Sequence, residues 1–204
     1  LSAEDSSGNT DSIQVNVEVV DTLLPRISAI PVAMYLGTNG TAHFDFIHMG
    51  ISTSDNCSID TVWAADTLYT CANTGINSNW VYATDMHGNT DSLQLTFQVI
   101  DTLSPVALPY AQYPVFLNAS GYALIDPNDL DSASFGNCNL VSKVASIDSV
   151  TCADIGLLIA KFRVTDENGL ADSADVVLNI QDTLVPNVLT KTTDIYLDNA
   201  GNAI

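Results

Sequence analysis

The sequence predicts an all-β protein, and three observations carry that prediction. A unit of about 80 residues recurs along the chain, apolar and polar residues alternate within it, and the periodicity of an α-helix is nearly absent. Turns of Gly, Asn and Asp separate six or seven short strands in each unit. This pattern is typical of an immunoglobulin-like β-sandwich, so we expect several such domains arranged end to end as a rod.

The repeat is clearest in the motif Asp-Thr-Leu-x-Pro, which starts at Asp21, Asp101 and Asp182, at separations of 80 and 81 residues. The Asp-x-x-Gly turn before each motif keeps the same spacing. Because the first copy is incomplete, we expect the chain to be part of a longer polypeptide. The predicted segments are the C-terminal part of a preceding repeat at 1–25, complete repeats at 26–105 and 106–186, and the N-terminal part of a following repeat at 187–204.

Each complete unit is predicted to open with short strands. In the first complete unit these strands are expected at 33–36, 41–47, 59–65 and 66–70, and in the second about 81 residues later. One short helical turn is expected at Asp126 to Leu130.

A long hairpin is predicted to close each unit. Strands at Asn79 to Thr84 and Ala160 to Thr165 run into the Asp-x-x-Gly turn, where Gly88 and Gly169 provide the positive φ that the turn needs. The strand after the turn alternates apolar with polar residues in all three copies. Its apolar positions are Ile13, Val15, Val17 and Val19; Leu93, Leu95, Phe97 and Val99; and Ala174, Val176, Leu178 and Ile180.

Proline ends each Asp-Thr-Leu-x-Pro motif. It fixes φ and pushes the preceding residue towards an extended conformation, which predicts a short, stiff linker between domains. A strand of ten residues spans roughly 34 Å, so each domain is expected to add on the order of 40 Å to the rod.

The composition is that of a folded acidic protein. Aspartate and glutamate number 24 against five Lys plus Arg, for a formal charge of −19, yet 47% of the residues are hydrophobic. A disordered acidic tail would lack these apolar residues. Such a charge repels nucleic acid and anionic membrane, and bound cations are the simplest way to offset it. The sequence has no run of 18 apolar residues and no basic leader with a cleavage site.

Five short segments recur with a characteristic order and spacing. They are VVDTLLP at Val19 to Pro25, SDNC at Ser54 to Cys57, TCADIG at Thr151 to Gly156, VTDENG at Val164 to Gly169, and LDNAGNA at Leu197 to Ala203. These segments resemble the tandem repeats of SprB-type gliding-motility surface adhesins of Bacteroidota and, more loosely, hyalin-type repeats. The resemblance covers nearly the whole chain. It implies export through the type IX secretion system, a cell-surface or extracellular location, and an adhesive or filamentous role.

The chain departs from the pattern of those repeats at a few positions. Asp198 fits the Leu-Asp-x-x-Gly segment, whereas Gly37 and Asn118 replace that aspartate in the earlier copies. Gly136 replaces Asp55 of the Asp-Asn-Cys segment. A metal-binding role for these positions is therefore not expected in every copy.

Four cysteines form two pairs, each within one repeat and each separated by 14 positions. For an exported protein this spacing predicts the disulfides Cys57–Cys71 and Cys138–Cys152, each contributing roughly 3 kcal/mol in the chain-entropy model. The alternative is a pair of reduced, buried thiols. Zinc is not expected, because the three histidines do not repeat; they are His43, His48 and His87.

The repeated aspartates suggest structural calcium at the repeat junctions, because calcium binds six to eight oxygen ligands. The expected junction pairs are Asp21 with Asp85 and Asp101 with Asp166, and Asp182 is the equivalent position in the last copy. Additional ligands are expected among Asn89, Glu167 and Asn168. The alternative is that Asp and Asn serve only the local hydrogen bonding of their own turns.

Ten aspartates are followed by Ser or Thr and then an aliphatic residue, as in the O-glycosylation signal of Bacteroidota. The acceptors to test first are Thr22, Thr102 and Thr183, followed by Ser12, Ser92, Ser173, Thr61, Thr67, Ser132 and Ser149. The sequons at Asn39, Asn56 and Asn118 are weaker candidates.

No Ser-His-Asp or Cys-His arrangement recurs, so we expect no catalytic residue. The expected function is that of stalk or filament repeats in a large secreted adhesin, whose partners are neighbouring repeats, other copies in a fibre and covalent O-glycans. The first alternative is a glycan-binding module that uses Trp63 and Trp80, whose equivalents are Val144 and Lys161. The second is a set of accessory repeats in a large secreted enzyme.

Overall fold

The computed structural model describes residues 1–30, 32–191, 194–196, 198–200 and 202. Its described residues form sixteen β-strands and one short α-helix, which confirms the all-β prediction. The chain divides into two compact units, unit 1 at Leu1–Leu103 and unit 2 at Ser104–Ile204. The predicted following repeat, 187–204, lies partly outside the described residues.

Unit 1 contains a terminal hairpin and eight further strands. The hairpin pairs β1 (Ser2–Glu4) with β2 (Thr10–Ser12). The other strands are β3 (Arg26–Ser28), β4 (Met34–Tyr35), β5 (Thr41–His43), β6 (Ser52–Ser54), β7 (Ile59–Ala64), β8 (Leu68–Thr70), β9 (Gly75–Asp85) and β10 (Thr90–Ile100).

Unit 2 repeats this order with fewer short strands. Its elements are β11 (Gln112–Phe116), β12 (Tyr122–Leu124), α1 (Pro127–Leu130), β13 (Leu140–Ala145), β14 (Ser149–Thr151), β15 (Gly156–Asp166) and β16 (Ala171–Gln181). A 3-10 turn precedes the long hairpin of each unit, at Cys71–Asn73 and at Cys152–Asp154.

The main sheet has the same topology in both units. Its strand order is β4-β10-β9-β7 in unit 1 and β11-β16-β15-β13 in unit 2. In each sheet the first strand pairs in parallel with the last strand, and all other pairs are antiparallel. The pairs β3–β6 and β5–β8 form the opposing layer in unit 1, and β12–β14 does so in unit 2. Each unit is thus an immunoglobulin-like sandwich.

The long hairpin supplies the centre of each core, as the alternation of its residues predicts. In unit 1 the ring of Phe97 on β10 meets Tyr69 and Phe44 at centroid distances of 5.3 and 5.8 Å. In unit 2 the buried phenylalanine is Phe162 on β15, and Leu178 takes the place of Phe97. The central aromatic ring thus lies on β10 in unit 1 and on β15, the equivalent of β9, in unit 2. The two cores therefore fill a similar space with different residues.

The predicted strand at 13–19 is wrong. These residues form no strand, and the apolar side chains at Val15, Val17 and Val19 are exposed. In the complete units the equivalent strand lies between an antiparallel and a parallel neighbour. Among the described residues, the antiparallel neighbour in this region is the three-residue strand β1, which pairs with β2. A strand without neighbours cannot bury its apolar face.

The short helix α1 confirms the expected helical turn. The Asp126 side chain accepts a hydrogen bond from the N–H of Asn128 at 2.8 Å and so caps the helix, and Pro127 occupies its first position. Its last residue, Leu130, is fully buried in the core of unit 2. Among the described residues, no helix has the length and apolar character needed to cross a bilayer.

Candidate functional site

The turn between β9 and β10 fixes one buried carboxylate. Asp85 ends β9 and is only 2% exposed. Its Oδ1 accepts hydrogen bonds from the N–H groups of His87 and Asn89 at 2.8 and 2.9 Å, and its Oδ2 accepts one from Nδ2 of Asn89 at 2.7 Å. Gly88 provides the left-handed residue of this turn, with φ of 89°. The residues of the turn therefore donate hydrogen bonds to both carboxylate oxygens of Asp85.

The same turn is less complete in unit 2. Oδ1 of Asp166 accepts hydrogen bonds from the N–H groups of Asn168 and Leu170, both at 2.9 Å. Leu170 stands where unit 1 has Asn89 and offers no side-chain donor. Oδ2 of Asp166 is consequently buried with no hydrogen-bond partner among the described residues.

Asp21 brings a second carboxylate to the β9–β10 turn. Its Oδ1 accepts hydrogen bonds from the Leu23 N–H and from Nδ2 of Asn56, both at 3.2 Å, and its backbone carbonyl accepts one from Nδ2 of Asn89 at 3.2 Å. Only 6% of its side chain is exposed. Nevertheless, Oδ2 accepts no hydrogen bond from any N–H or O–H group of the described residues.

Asp55 completes a group of three carboxylates. It lies in the loop before β7, where one of its oxygens accepts a hydrogen bond from the Cys57 N–H at 2.8 Å. One carboxylate oxygen each from Asp21, Asp55 and Asp85 lie within 4.8 Å of one another. We call these three residues the Asp21 cluster.

The hydrogen bonds around the Asp21 cluster favour its charged form. The Cys57 thiol and then the Leu23 N–H lower the pKa of Asp21 below its ordinary value. Burial opposes ionisation of Asp85, but its hydrogen bonds from Asn89 and His87 outweigh burial and hold its pKa below the ordinary value. The contact with Asp21, followed by burial, raises the pKa of the Cys57 thiol. Anionic oxygen is therefore concentrated around Oδ2 of Asp21.

A divalent cation has two possible sets of protein ligands here. The Asp21 cluster offers only oxygen, which suits calcium or magnesium. Asp21 also lies with Cys57 and His87, whose ligand atoms all fall within 4.8 Å of one another, and Nδ1 of His87 is 3.7 Å from Oδ2 of Asp21. That second set has the sulfur and nitrogen donors that zinc prefers. The two sets share Asp21, so one cation would use it at a time.

The structure brings together the predicted pair Asp21 and Asp85. The side chains of Asp101 and Asp182 each accept a hydrogen bond within their own turn. The donors are the N–H groups of Leu103 and Leu184, at 3.1 and 3.0 Å. Calcium binding at Asp101, Asp166 and Asp182 stays a prediction.

The calcium pairs expected from the sequence did not include Asp55, and sequence reasoning did not place Cys57 and His87 beside Asp21. The register of the strands is the signal that would have placed these residues. Ile59 at the start of β7 pairs with Asp85 at the end of β9. That pairing carries the Asp55-Asn56-Cys57 segment to the β9–β10 turn.

The predicted disulfides Cys57–Cys71 and Cys138–Cys152 are wrong. Cys57 and Cys152 are free thiols, whereas Cys71 and Cys138 are disulfide-bonded. Within one unit the two cysteines lie at opposite ends of an 11-residue strand, β9 or β15. Such a strand spans roughly 35 Å, far beyond the Cα separation of a disulfide, so the 13 intervening residues hold the two thiols too far apart to bond.

All but one of the predicted O-glycan acceptors are exposed. The exception is Ser149, which is half-buried and whose hydroxyl donates to Oδ1 of Asp148 at 2.9 Å. Glycosylation itself stays a prediction.

Three aromatic residues on β7 and β9 lie together on the outer face of the unit 1 sheet. Trp63 on β7 lies directly opposite Tyr82 on β9, and their rings stack with centroids 3.9 Å apart and planes 12° apart. Trp63 and Trp80 remain 47% and 43% exposed. The stack stabilises the strand pair and also presents an aromatic surface to solvent.

No family model matches the chain, and no curated protein matches it. Solved structures resemble it at low identity, and three of them serve as examples. EC1-2 of human mucin-like protocadherin aligns with 10% identity and a TM-score of 0.34 over 78% of this chain and 99% of that chain. EC1-4 of Drosophila N-cadherin aligns with 13% identity and a TM-score of 0.34 over 78% and 50%. Fibronectin(III)-like modules of Clostridium thermocellum CbhA align with 9% identity and a TM-score of 0.29 over 82% and 100%. The similarity concerns the fold alone.

Proposed function

We propose that this chain consists of non-catalytic structural repeats from a large secreted bacterial adhesin, which act as a stalk or filament at the cell surface. The observation that carries the proposal is the recurrence of one sheet topology in two compact units, with the same parallel and antiparallel pairs. Repeat proteins of this kind are built by adding copies of one stable unit. The disulfide-bonded cysteines support maturation in an oxidising compartment, which agrees with secretion.

The resemblance to SprB-type repeats adds finer parts to the proposal. It favours export by the type IX system and a role in adhesion or gliding motility. The exposed Asp-Ser/Thr acceptors support O-glycosylation, which would cover the apolar side chains that remain exposed near Thr22 and Thr183.

A glycan-binding module is the second candidate, because Trp63, Tyr82 and Trp80 present an aromatic surface in unit 1. A glycan array separates the two functions. The stalk proposal predicts no saturable binding by the wild-type chain. Saturable binding that Trp80→Ala abolishes, while the unit 2 variant Lys161→Ala retains it, would replace the stalk with the glycan-binding function.

We also propose that calcium occupies the Asp21 cluster as a structural cofactor. Three carboxylates converge there, and the buried Oδ2 of Asp21 lacks an N–H or O–H partner, which a cation would supply. The formal charge of −19 favours cation binding in general. Unit 2 has Gly136 in place of Asp55, so the full set of three carboxylates belongs to unit 1.

Calcium is expected to raise the thermal midpoint of unit 1 by several degrees relative to EDTA, because ligands that bind only the folded state stabilise it. Thermal melts followed by tryptophan fluorescence measure this, since Trp63 and Trp80 both lie in unit 1. Asp21→Asn should abolish the shift. Asp182→Asn changes the same motif outside the cluster and should preserve it.

Two outcomes would contradict calcium at this cluster. The first is an unchanged midpoint in the wild-type chain. The second is a larger response to zinc that disappears in Cys57→Ser and His87→Ala, which would assign the ion to the sulfur and nitrogen ligands.

A further inference from the structure

A cleft in unit 2 lies between α1 and β11, the edge strand of the main sheet. Its volume is about 510 Å³, within the range of ligand-binding pockets. The residues that line it are mainly aromatic and polar, and they include Tyr110, Gln112, Tyr113, Asn128, Asp129 and Asp131. Neither the calcium site nor the aromatic surface of unit 1 involves these residues.

Backbone hydrogen bonds hold both walls of the cleft. The Tyr110 N–H donates to the carbonyl oxygen of Leu130 at 3.0 Å and so ties the loop before β11 to the end of α1. Tyr113 lies within β11, where it pairs with Leu178 of β16. On the opposite wall, the capping bond from Asp126 fixes the start of α1. The folded unit therefore forms the cleft before any ligand binds.

Two tyrosine rings and one carboxylate give the cleft its chemical character. The ring centroids of Tyr110 and Tyr113 are 6.3 Å apart, and Tyr110 is 47% exposed. Asp129 is exposed, and within the described part of the chain its carboxylate pairs with no lysine, arginine or histidine. Burial and then the charge of Asp129 raise the pKa of Tyr113, so this charge reaches the ring. Aromatic faces beside an unpaired carboxylate favour an organic cation.

Asp131 does not add a second available charge to the cleft. Its Oδ2 lies 2.7 Å from Nζ of Lys143, and its Oδ1 accepts a hydrogen bond from the Ser134 N–H at 3.0 Å. Because Asp131 is already paired with a cation of its own, Asp129 is the carboxylate that remains for a ligand.

The cleft continues along β11 as a groove. This second part, of about 210 Å³, shares Tyr113, Pro114 and Asp129 with the cleft, and the exposed side chains of Phe116 and Leu124 line it. Pro114 has no N–H to donate, so the outer edge of β11 is poorly suited to pairing with an added strand. Side chains are therefore the groups that recognise a ligand here, and the groove offers an apolar contact next to the carboxylate.

Unit 1 lacks this combination of residues. The strand pairs of β4 and β11 fix an offset of 81 residues between the units. At that offset Val32 and His48 stand where unit 2 has Tyr113 and Asp129. The fold itself therefore does not require the aromatic ring or the carboxylate, and unit 1 serves as an internal reference.

We propose that this cleft binds the guanidinium group of an arginine side chain in a partner polypeptide, with an adjacent apolar residue in the groove beside Phe116. The guanidinium forms paired hydrogen bonds with the Asp129 carboxylate and stacks on a tyrosine ring. Its planar fork matches a carboxylate and its face stacks on aromatic rings, which an ammonium group does less well. The formal charge of −19 attracts such a ligand over a longer range. This binding goes beyond the stalk function and does not depend on calcium.

An NMR titration of the isotope-labelled 204-residue chain tests the proposal. The probe is the peptide acetyl-Gly-Arg-Leu-Gly-amide, and the matched control peptide carries citrulline, which keeps the shape of arginine but has no charge. We expect saturable shifts of amides in 110–116 and 126–131, and none around His48 of unit 1. The citrulline peptide should bind at least about tenfold more weakly, because its contact with Asp129 is no longer charge-assisted.

Variants of the cleft make the test specific. Asp129→Asn is expected to weaken binding of the arginine peptide at least about tenfold, and Asp129→Glu should retain most of the affinity. Tyr110→Ala should weaken it several-fold. Asp175→Asn removes an exposed carboxylate of the same unit outside the cleft and should leave the affinity unchanged. Thermal melts confirm that each variant folds.

Four results would overturn the proposal. The first is the absence of saturable shifts at millimolar arginine peptide. The second is wild-type affinity in Asp129→Asn. The third is equal affinity for the citrulline peptide or for a lysine peptide, which would show that the cleft does not select guanidinium. The fourth is equal affinity for agmatine, which would assign the cleft to a small guanidinium compound instead of a polypeptide.

Discussion

Phe162→Ala is expected to lower the free energy of unfolding of unit 2 by about 3–5 kcal/mol, the usual cost of truncating a buried phenylalanine. Its ring is fully buried at the centre of the unit 2 core, among residues from β11, β15 and β16. Removal of the ring leaves a cavity that the surrounding strands cannot fill, because their hydrogen-bonded register fixes their positions. Urea unfolding followed by far-UV circular dichroism measures the loss.

Val144→Ala is the matched control for Phe162→Ala. Val144 lies on β13 of the same sheet but is 53% exposed, so its truncation should change the unfolding free energy by less than about 0.5 kcal/mol. A loss below about 1 kcal/mol for Phe162→Ala would contradict the central role of this ring, since fully buried aromatic residues rarely cost so little to truncate.

Asn79→Ala is expected to destabilise unit 1 by about 2 kcal/mol, because it leaves two backbone groups without partners. The Asn79 side chain is 2% exposed. Its Nδ2 donates to the carbonyl oxygen of Asp66 at 2.7 Å, and its Oδ1 accepts from the Asp66 N–H at 3.1 Å. This pair of bonds holds the turn between β7 and β8. Urea unfolding followed by tryptophan fluorescence measures the effect.

Unit 2 shows how the same turn is held without asparagine. Ala160 replaces Asn79, and Ile147 replaces Asp66 and packs against the apolar core. The double variant Asp66→Ile with Asn79→Ala copies this arrangement and should recover part of the lost stability. Ser78→Ala, at the exposed neighbouring position, is the control for Asn79→Ala. If the double variant is less stable than Asn79→Ala alone, an apolar contact does not replace the polar contact of unit 1 in this turn.

The sequence was sufficient to predict the hairpin strands because their alternation is strong and repeated. Leu95, Phe97 and Val99 face the core as expected, and so do Val176 and Leu178. The short strands β3 and β6 were not predicted, since three residues carry too little periodicity. The exposed segment at 13–19 shows the converse limit, because alternation produces a paired strand only where neighbouring strands exist.

The candidate site was predicted in part for a similar reason. Asp21 and Asp85 recur with the repeat, so their proximity could be expected. Asp55 and His87 are not repeated in unit 2. His87 follows Asp85 in its turn, and the register between β7 and β9 brings Asp55 to the same turn. The cysteine pairs were misassigned because a short separation along the chain was taken for a short distance in space. The two cysteines of each unit instead lie at opposite ends of one long strand of the sandwich.

The parallel strand pair that borders each main sheet has a consequence for mechanical load. In unit 2, β11 pairs with β16 at five positions, from Gln112 with Val177 to Phe116 with Gln181. A force that pulls the chain on either side of this pair acts at opposite ends of the ladder and shears its hydrogen bonds together. In the described part of unit 1, two such residue pairs join β4 to β10. We therefore expect unit 1 to yield under tension before unit 2.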